Sequence, residues 1–176
     1  MIIKNIDKLR EKCPEFDFDN PIMDPIELKK ELIDAMFEHG GLGVSANQIG
    51  HNTRAFAMRG ETKKDSVVCF NPQIVDFSPE MNTMEEGCLS LPDVYVRVVR
   101  PSHVAIRYLT ELQKEEGQLA DGLTARVFQH ELDHLDGKIM LDRVGDLSRM
   151  RAMDKSRKIQ KMRRRGKEKY KPRFTL

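Results

Sequence analysis

Residues 128–137 read FQHELDHLDG, and this stretch restricts the fold more than any other. His130 and His134 stand four apart, and Glu131 directly follows the first histidine. Residues four apart share one face of an α-helix, so both imidazoles can reach one metal ion. The flanking sequence fits a helix over residues 123–135: Leu123, Val127, Leu132 and Leu135 are its buried candidates, Asp121-Gly122 breaks what precedes it, and Gly137 suits a C′ stop. Glu131 is then placed to move protons to and from a metal-bound water.

Two histidines leave such a site incomplete, because catalytic metal sites need a third protein ligand and an open position. In one zinc-peptidase pattern the third ligand is a histidine six residues after the second; here that position holds Met140. Another class uses a downstream glutamate, but the only one beyond His134 is Glu168, deep in a basic tail. Among upstream residues Cys88 is the attractive candidate. It lies in Glu85-Glu86-Gly87-Cys88-Leu89-Ser90, between strand-like runs. The alternative is a buried apolar thiol, which is how Cys69 reads within VVCFNP.

The rest of the chain must hold this helix. Asp24-Pro25-Ile26-Glu27 combines an N-cap, a proline at N1 and an acid at N3, and predicts a helix over 25–38 that ends at Gly40-Gly41. The glycine-rich stretch 40–50, GGLGVSANQIG, reads as a shaped loop, since Leu42, Val44 and Ile49 surround a polar Gln48. Short runs rich in Val, Ile, Phe and Tyr predict strands at 55–58, 67–71, 73–77, 94–100 and 104–109, punctuated by prolines. Residues 139–141 predict one more short strand, and a third helix starts at Leu147. The expected fold is α+β: antiparallel or mixed sheets around a central metal-binding helix, with an N-terminal and a C-terminal helix. Residues 1–148 are expected to form a single catalytic metallohydrolase domain, and 149–176 a basic C-terminal helix and tail.

Composition narrows the setting. A chain of 176 residues fits one domain, and it contains no run approaching the roughly 20 apolar residues that span a bilayer. The start of the chain carries no signal-peptide pattern, and three scattered cysteines do not make a disulfide framework, so a cytoplasmic, reducing setting is expected. The net charge of +2 hides an asymmetry: residues 149–176 hold thirteen Lys/Arg against Asp154 and Glu168, which leaves the remainder acidic.

Three motifs in order resemble the peptide deformylase family: residues 41–48, GLGVSANQ; residues 86–90, EGCLS; and residues 129–137, QHELDHLDG. The one departure is Ser45, where the family usually has alanine. The resemblance covers about residues 24–144 and implies removal of the formyl group from the N-terminal formylmethionine of nascent polypeptides. It further implies that Cys88, His130 and His134 hold one divalent metal, with Fe²⁺ as the native ion and Zn²⁺ or Ni²⁺ as substitutes. Glu131 would be general base and acid, while the Gln48 side chain and the Leu89 backbone N–H would stabilise the oxyanion. Gly43, Glu86, Gly87 and Tyr95 are expected along the peptide groove, with Leu42, Leu123 and Val127 around the first substrate side chain. Asp133 is expected to pair with Arg100 or Arg143.

The implied partners are formylmethionyl nascent peptides and, through the basic tail, ribosomal RNA, with no membrane and a monomeric state. Two rivals share some of these features. One is an H-E-x-x-H metallopeptidase that cuts internal bonds; the other is a metal-stabilised RNA-binding module without catalysis.

Overall fold

The computed structural model describes residues 1–166. The basic stretch expected beyond Gly166 lies outside the described residues. Helix α1 (Pro25–His39) starts where its cap dictates: the Asp24 carboxylate accepts from the Ile26 and Glu27 amides. It ends at Gly40, whose φ of 69° closes the helix. The glycine-rich stretch that follows is shaped rather than loose. It holds strand β1 (Gly43–Ser45) and a single helical turn, α2 (Ala46–Ile49).

Strands β2 (Ala55–Met58), β3 (Val67–Phe77), β6 (His103–Leu109) and β7 (Glu115–Asp121) join β1 in a sheet of order β1-β2-β3-β6-β7. Strands β4 (Met81–Cys88) and β5 (Leu91–Pro101) form a separate hairpin. Every strand pair is antiparallel.

Helix α3 (Gly122–Leu135) is the expected histidine helix, and α4 (Asp146–Arg164) is the C-terminal one. No helix among the described residues is long and apolar enough to cross a membrane.

The strands sort their side chains by the two-residue alternation of the pleat. Ala55, Ala57, Val68 and Phe70 face α1 and join Leu28, Leu32 and Met36 in one core cluster. Phe56, Met58 and Cys69 face the opposite way, toward Val127, Phe128 and Leu135 of α3. Phe56 and Phe128 meet edge to face, with ring centroids 5.0 Å apart. The large sheet is thus held between α1 and α3. On the hairpin, Val94, Val96 and Val98 point into a third cluster with Cys88, Ile139, Met140 and Ala152 of α4.

Several expectations are corrected. The two runs at 67–71 and 73–77 are one strand, β3, which carries Pro72 through a register shift between Phe70 and Gln73. Asn71, with φ 49°, absorbs the irregularity, which lets a proline sit inside a paired strand. Residues 139–141 are not a strand: Met140–Arg143 forms a 3-10 turn. The Asp142 carboxylate accepts from the Ile139 amide at 3.0 Å and pairs with Arg10, so a local turn replaces strand pairing. Strands β4 and β7 carry no clean apolar alternation (MNTMEEGC and EEGQLAD), which is why periodicity passed over them.

Candidate metal centre

Helix α3 presents His130 and His134 on one face, with ring centroids 4.9 Å apart. The β4–β5 hairpin brings Cys88 to them from the end of β4, where a register shift follows Gly87. One donor atom from each of Cys88, His130 and His134 lies within 4.8 Å of the others, and all three residues are buried. Cys88 Sγ is 3.2 Å from His134 Nε2. His130 Nε2 is shut off from solvent yet has no hydrogen-bond partner in the protein. Buried polar atoms are rarely left so, and a thiolate with two imidazoles is a donor set for a divalent transition metal. The residues fit a metal.

The electrostatics agree. Burial alone would push the Cys88 thiol up, but the His134 and His130 imidazoles outweigh it and bring it down to about 5. Cys88 is therefore a thiolate at neutral pH. Burial pushes Cys13 up to about 11 and Cys69 well above the ordinary thiol range, so neither is a comparable ligand. Burial disfavours the His130 cation, yet its contacts with Cys88 and Glu86 raise it to about 10 without a metal. A metal must then displace that proton, and binding is linked to proton release.

Glu131 is fully buried, and neither carboxylate oxygen closes a hydrogen bond within the protein. Burial raises it to about 7, against the pull of the neighbouring histidines. A carboxyl poised there can both take and give a proton near neutrality. It lies against β1: a Cβ added at Gly43 would stand 2.6 Å from Glu131 Oε1 and 2.8 Å from Val127 Cγ1. Only glycine leaves that space.

Gln48 reaches the centre from α2. Its amide nitrogen is 3.4 Å from Cys88 Sγ and 3.1 Å from Ser90 Oγ. Leu89 lies against the glycine-rich stretch, since a Cβ at Gly41 would come within 2.9 Å of Leu89 Cδ1. Leu42, Leu123 and Val127 line one pocket together with Met58, Val67 and Arg59. Val127 sits one helical turn before Glu131, which puts this pocket beside the centre.

Glu86 does not lie along a groove. Its side chain is fully buried behind the metal ligands, so the expected peptide-groove role is corrected. Its carboxylate accepts from Arg100 at 2.7 and 3.0 Å, from Arg126 at 2.8 Å, and meets His130 Nδ1 at 3.0 Å. Burial opposes the anion, but these partners win and hold it well below the usual carboxylate range. Gly87 faces Tyr95 across the hairpin, and Tyr95 is not among the residues lining the apolar pocket.

Asp133 binds both of its expected partners. Arg100 donates to it at 2.7 Å, and Arg143 donates through Nε at 3.0 Å and again through its terminal nitrogen. Two supports escaped the sequence reading. Arg126 is almost wholly buried and also donates to the Val98 carbonyl. Asn47 donates to the His134 carbonyl at 2.9 Å, tying α2 to the ligand helix. An arginine one turn before His130, with an acid two residues before Cys88, was the available signal for the first.

What the fold and the site define is a class: α+β proteins with a buried Cys-His-His metal-ligand set built around an H-E-x-x-H helix. A model of the polypeptide deformylase family matches residues 2–150, and the chain belongs to that family. It is 42% identical over 123 residues to a peptide deformylase of Synechococcus sp. (strain RCC307), covering 68% of this chain and 61% of that protein. It is 41% identical over 133 residues to one from Treponema pallidum (strain Nichols), covering 73% of this chain and 81% of the relative. A crystal structure of a peptide deformylase from Legionella pneumophila superposes with a TM-score of 0.84 at 32% identity, covering 98% of both chains. The chain spans about 60% of the length of this Synechococcus relative and of the Prochlorococcus marinus relatives of strains AS9601 and MIT 9312.

Proposed function

We propose that this protein hydrolyses the N-formyl group of peptides that begin with formylmethionine, releasing formate and a free amino terminus. The observation that carries the reading is the meeting of Gln48, Cys88, His130, His134 and Glu131 in one buried centre beside an apolar pocket. Cys88, His130 and His134 would hold the divalent ion, Fe²⁺ in the native enzyme. When bound, that ion supplies Lewis acidity, which activates water and polarises the formyl carbonyl.

The chain's own groups do the rest. Glu131 accepts a proton from the attacking water as the water oxygen bonds to the formyl carbon. The carbonyl oxygen then carries negative charge, and the Gln48 carboxamide N–H and the Leu89 backbone N–H donate to it. Glu131 passes its proton to the amine nitrogen as the C–N bond breaks. Gly43 offers its backbone to the extended peptide at the edge of β1, as an added strand would. Leu42, Leu123 and Val127 receive the methionine side chain.

The partners proposed are nascent formylated chains in the cytoplasm, met by a monomer. The exposed cations of α4, among them Lys155, Lys158 and Lys161, would hold the enzyme near ribosomal RNA. Formate release from formyl-Met-Ala-Ser, with and without a chelator, tests the reaction. Chelator-sensitive formate release is expected. Cleavage of an unblocked peptide with no formate released would favour an internal peptidase instead.

A further inference from the structure

Ser45 is fully buried at the end of β1, at the head of the α2 turn that carries Gln48. Its backbone N–H donates to Gln48 Oε1 at 2.9 Å, and its hydroxyl oxygen lies 3.0 Å from the same atom. A backbone N–H can only donate, so the atom it meets must be the amide oxygen. That assigns the carboxamide orientation: oxygen toward Ser45, NH₂ toward Cys88 and Ser90. An amide oxygen has two lone pairs and no proton. The hydroxyl contact is attractive only if Ser45 donates, and the two Ser45 donors then fill both lone pairs. Turned over, Gln48 would set its oxygen against Cys88 Sγ and offer no donor to a developing oxyanion. An alanine here would keep the backbone donor and lose the second one. The hydroxyl also lies near Glu131, but its one proton is directed at Gln48 Oε1, and neither Glu131 oxygen closes a hydrogen bond.

We propose that Ser45 is a positioning residue, whose hydroxyl locks the Gln48 carboxamide with its NH₂ turned into the metal centre. The inference rests on the deformylation reading for its kinetic consequence, while the amide orientation can be read without turnover. The first test is NMR of the ¹⁵N-labelled protein, with the Gln48 side-chain NH₂ pair assigned through Gln48→Ala. The wild type is expected to show one sharp, slowly exchanging pair, and Ser45→Ala a pair that broadens or splits and exchanges about tenfold faster, as for a lost buried hydrogen bond. An unchanged pair in Ser45→Ala overturns the proposal whatever the enzyme's activity.

The second test is a kinetic cycle on formyl-Met-Ala-Ser. Ser45→Ala is expected to lower kcat by about three- to tenfold, the worth of one hydrogen bond, with KM within about twofold. In the Gln48→Ala background the same change should cost nothing further. Ser45→Cys preserves the packing and offers only a weak donor, so it should lose as much as Ser45→Ala. A loss from Ser45→Ala that is equal in both backgrounds, or wild-type kcat in Ser45→Cys, shows that size rather than donation matters and overturns the proposal. Absence of formate release by the wild type would sink the deformylation reading, and the NMR comparison would still decide the role of Ser45.

Discussion

The Glu86 carboxylate meets His130 Nδ1 at 3.0 Å, and both side chains are buried. This contact decides which nitrogen of His130 is available. With Nδ1–H donated to Glu86, Nε2 is the nitrogen left toward Cys88 and His134, and it offers its lone pair once a metal displaces its proton. Glu86 is in turn held by Arg100 and Arg126, so the ring orientation is set by charges that solvent does not reach. Partners of this kind orient a ligand and tune its basicity, and they matter nearly as much as the ligand itself.

Glu86→Gln is therefore expected to weaken metal binding by about 10- to 100-fold, the range for lost outer partners of a ligand. It also leaves Arg100 and Arg126 without their shared anion, and a broken buried pair costs about 3–5 kcal/mol. Chelator competition with Zn²⁺ or Co²⁺, read beside the urea midpoint, checks both effects. Wild-type affinity in a folded Glu86→Gln protein would contradict the assigned role.

Acid should unfold the protein through the same network. Glu86 and Asp133 are both lowered in the folded state: burial opposes the charge, but Arg100 and His130 hold Glu86, and Arg143 and Arg100 hold Asp133. A lowered folded pKa contributes stability that is fully present above the unfolded carboxylate value, roughly pH 4. That stability is lost as pH falls through the lower folded values. The share of the urea midpoint that this network contributes, read as the difference between wild type and Asp133→Asn, should be level above about pH 5 and shrink below about pH 4. Asp133→Asn should be less stable at pH 7 and show a shallower acid loss.

Much of this arrangement was legible in the sequence, for local reasons. The spacing of His130 and His134 predicts a shared helix face, and the Asp24-Pro25 start predicts α1. What escaped depends on contacts distant in sequence. Glu86 reads as one more polar residue beside a cysteine until Arg126, 40 positions on, is seen to donate to it. Strand β7 has no apolar alternation because its side chains are mostly exposed, with Ala120 alone among them buried. The glycine-rich stretch showed its composition, but not that Gly43 leaves room for Glu131.

That last contact gives a sharp substitution. A Cβ at Gly43 would lie well inside van der Waals distance of both Glu131 and Val127. Gly43→Ala must therefore shift a buried carboxylate or the helix that carries it. Overpacking of this kind costs about 1–3 kcal/mol. A displacement of about 1 Å at a reacting group costs on the order of 100-fold in rate. Thermal midpoint and kcat together check the prediction, and wild-type kcat would show that Glu131 is not held where the structure places it.

The C-terminal segment is less separable than the charge asymmetry implies. Helix α4 begins at Asp146, and its Ala152 and Ser156 are buried. Ser156 donates to the Pro92 carbonyl at 3.1 Å, and Arg163 makes two 2.7 Å contacts to Asp93, just beyond the turn that follows Cys88. Deleting residues 149–176 should lower the thermal midpoint and the turnover of short peptides. Reversing Lys155, Lys158 and Lys161 to glutamate should spare both, while weakening ribosome co-sedimentation at low salt. Unchanged co-sedimentation in the reversed variant would remove the proposed RNA contact.

In the proposed metal-dependent deformylation, everything turns on Glu131 as the group that moves the proton. Formate release from formyl-Met-Ala-Ser by Glu131→Gln, with its metal content measured in the same sample, tests this most directly. The predicted result is full metal occupancy and a rate reduced by at least about 100-fold, the lower end of general acid–base contributions. A metal-loaded Glu131→Gln protein that releases formate near the wild-type rate would contradict it.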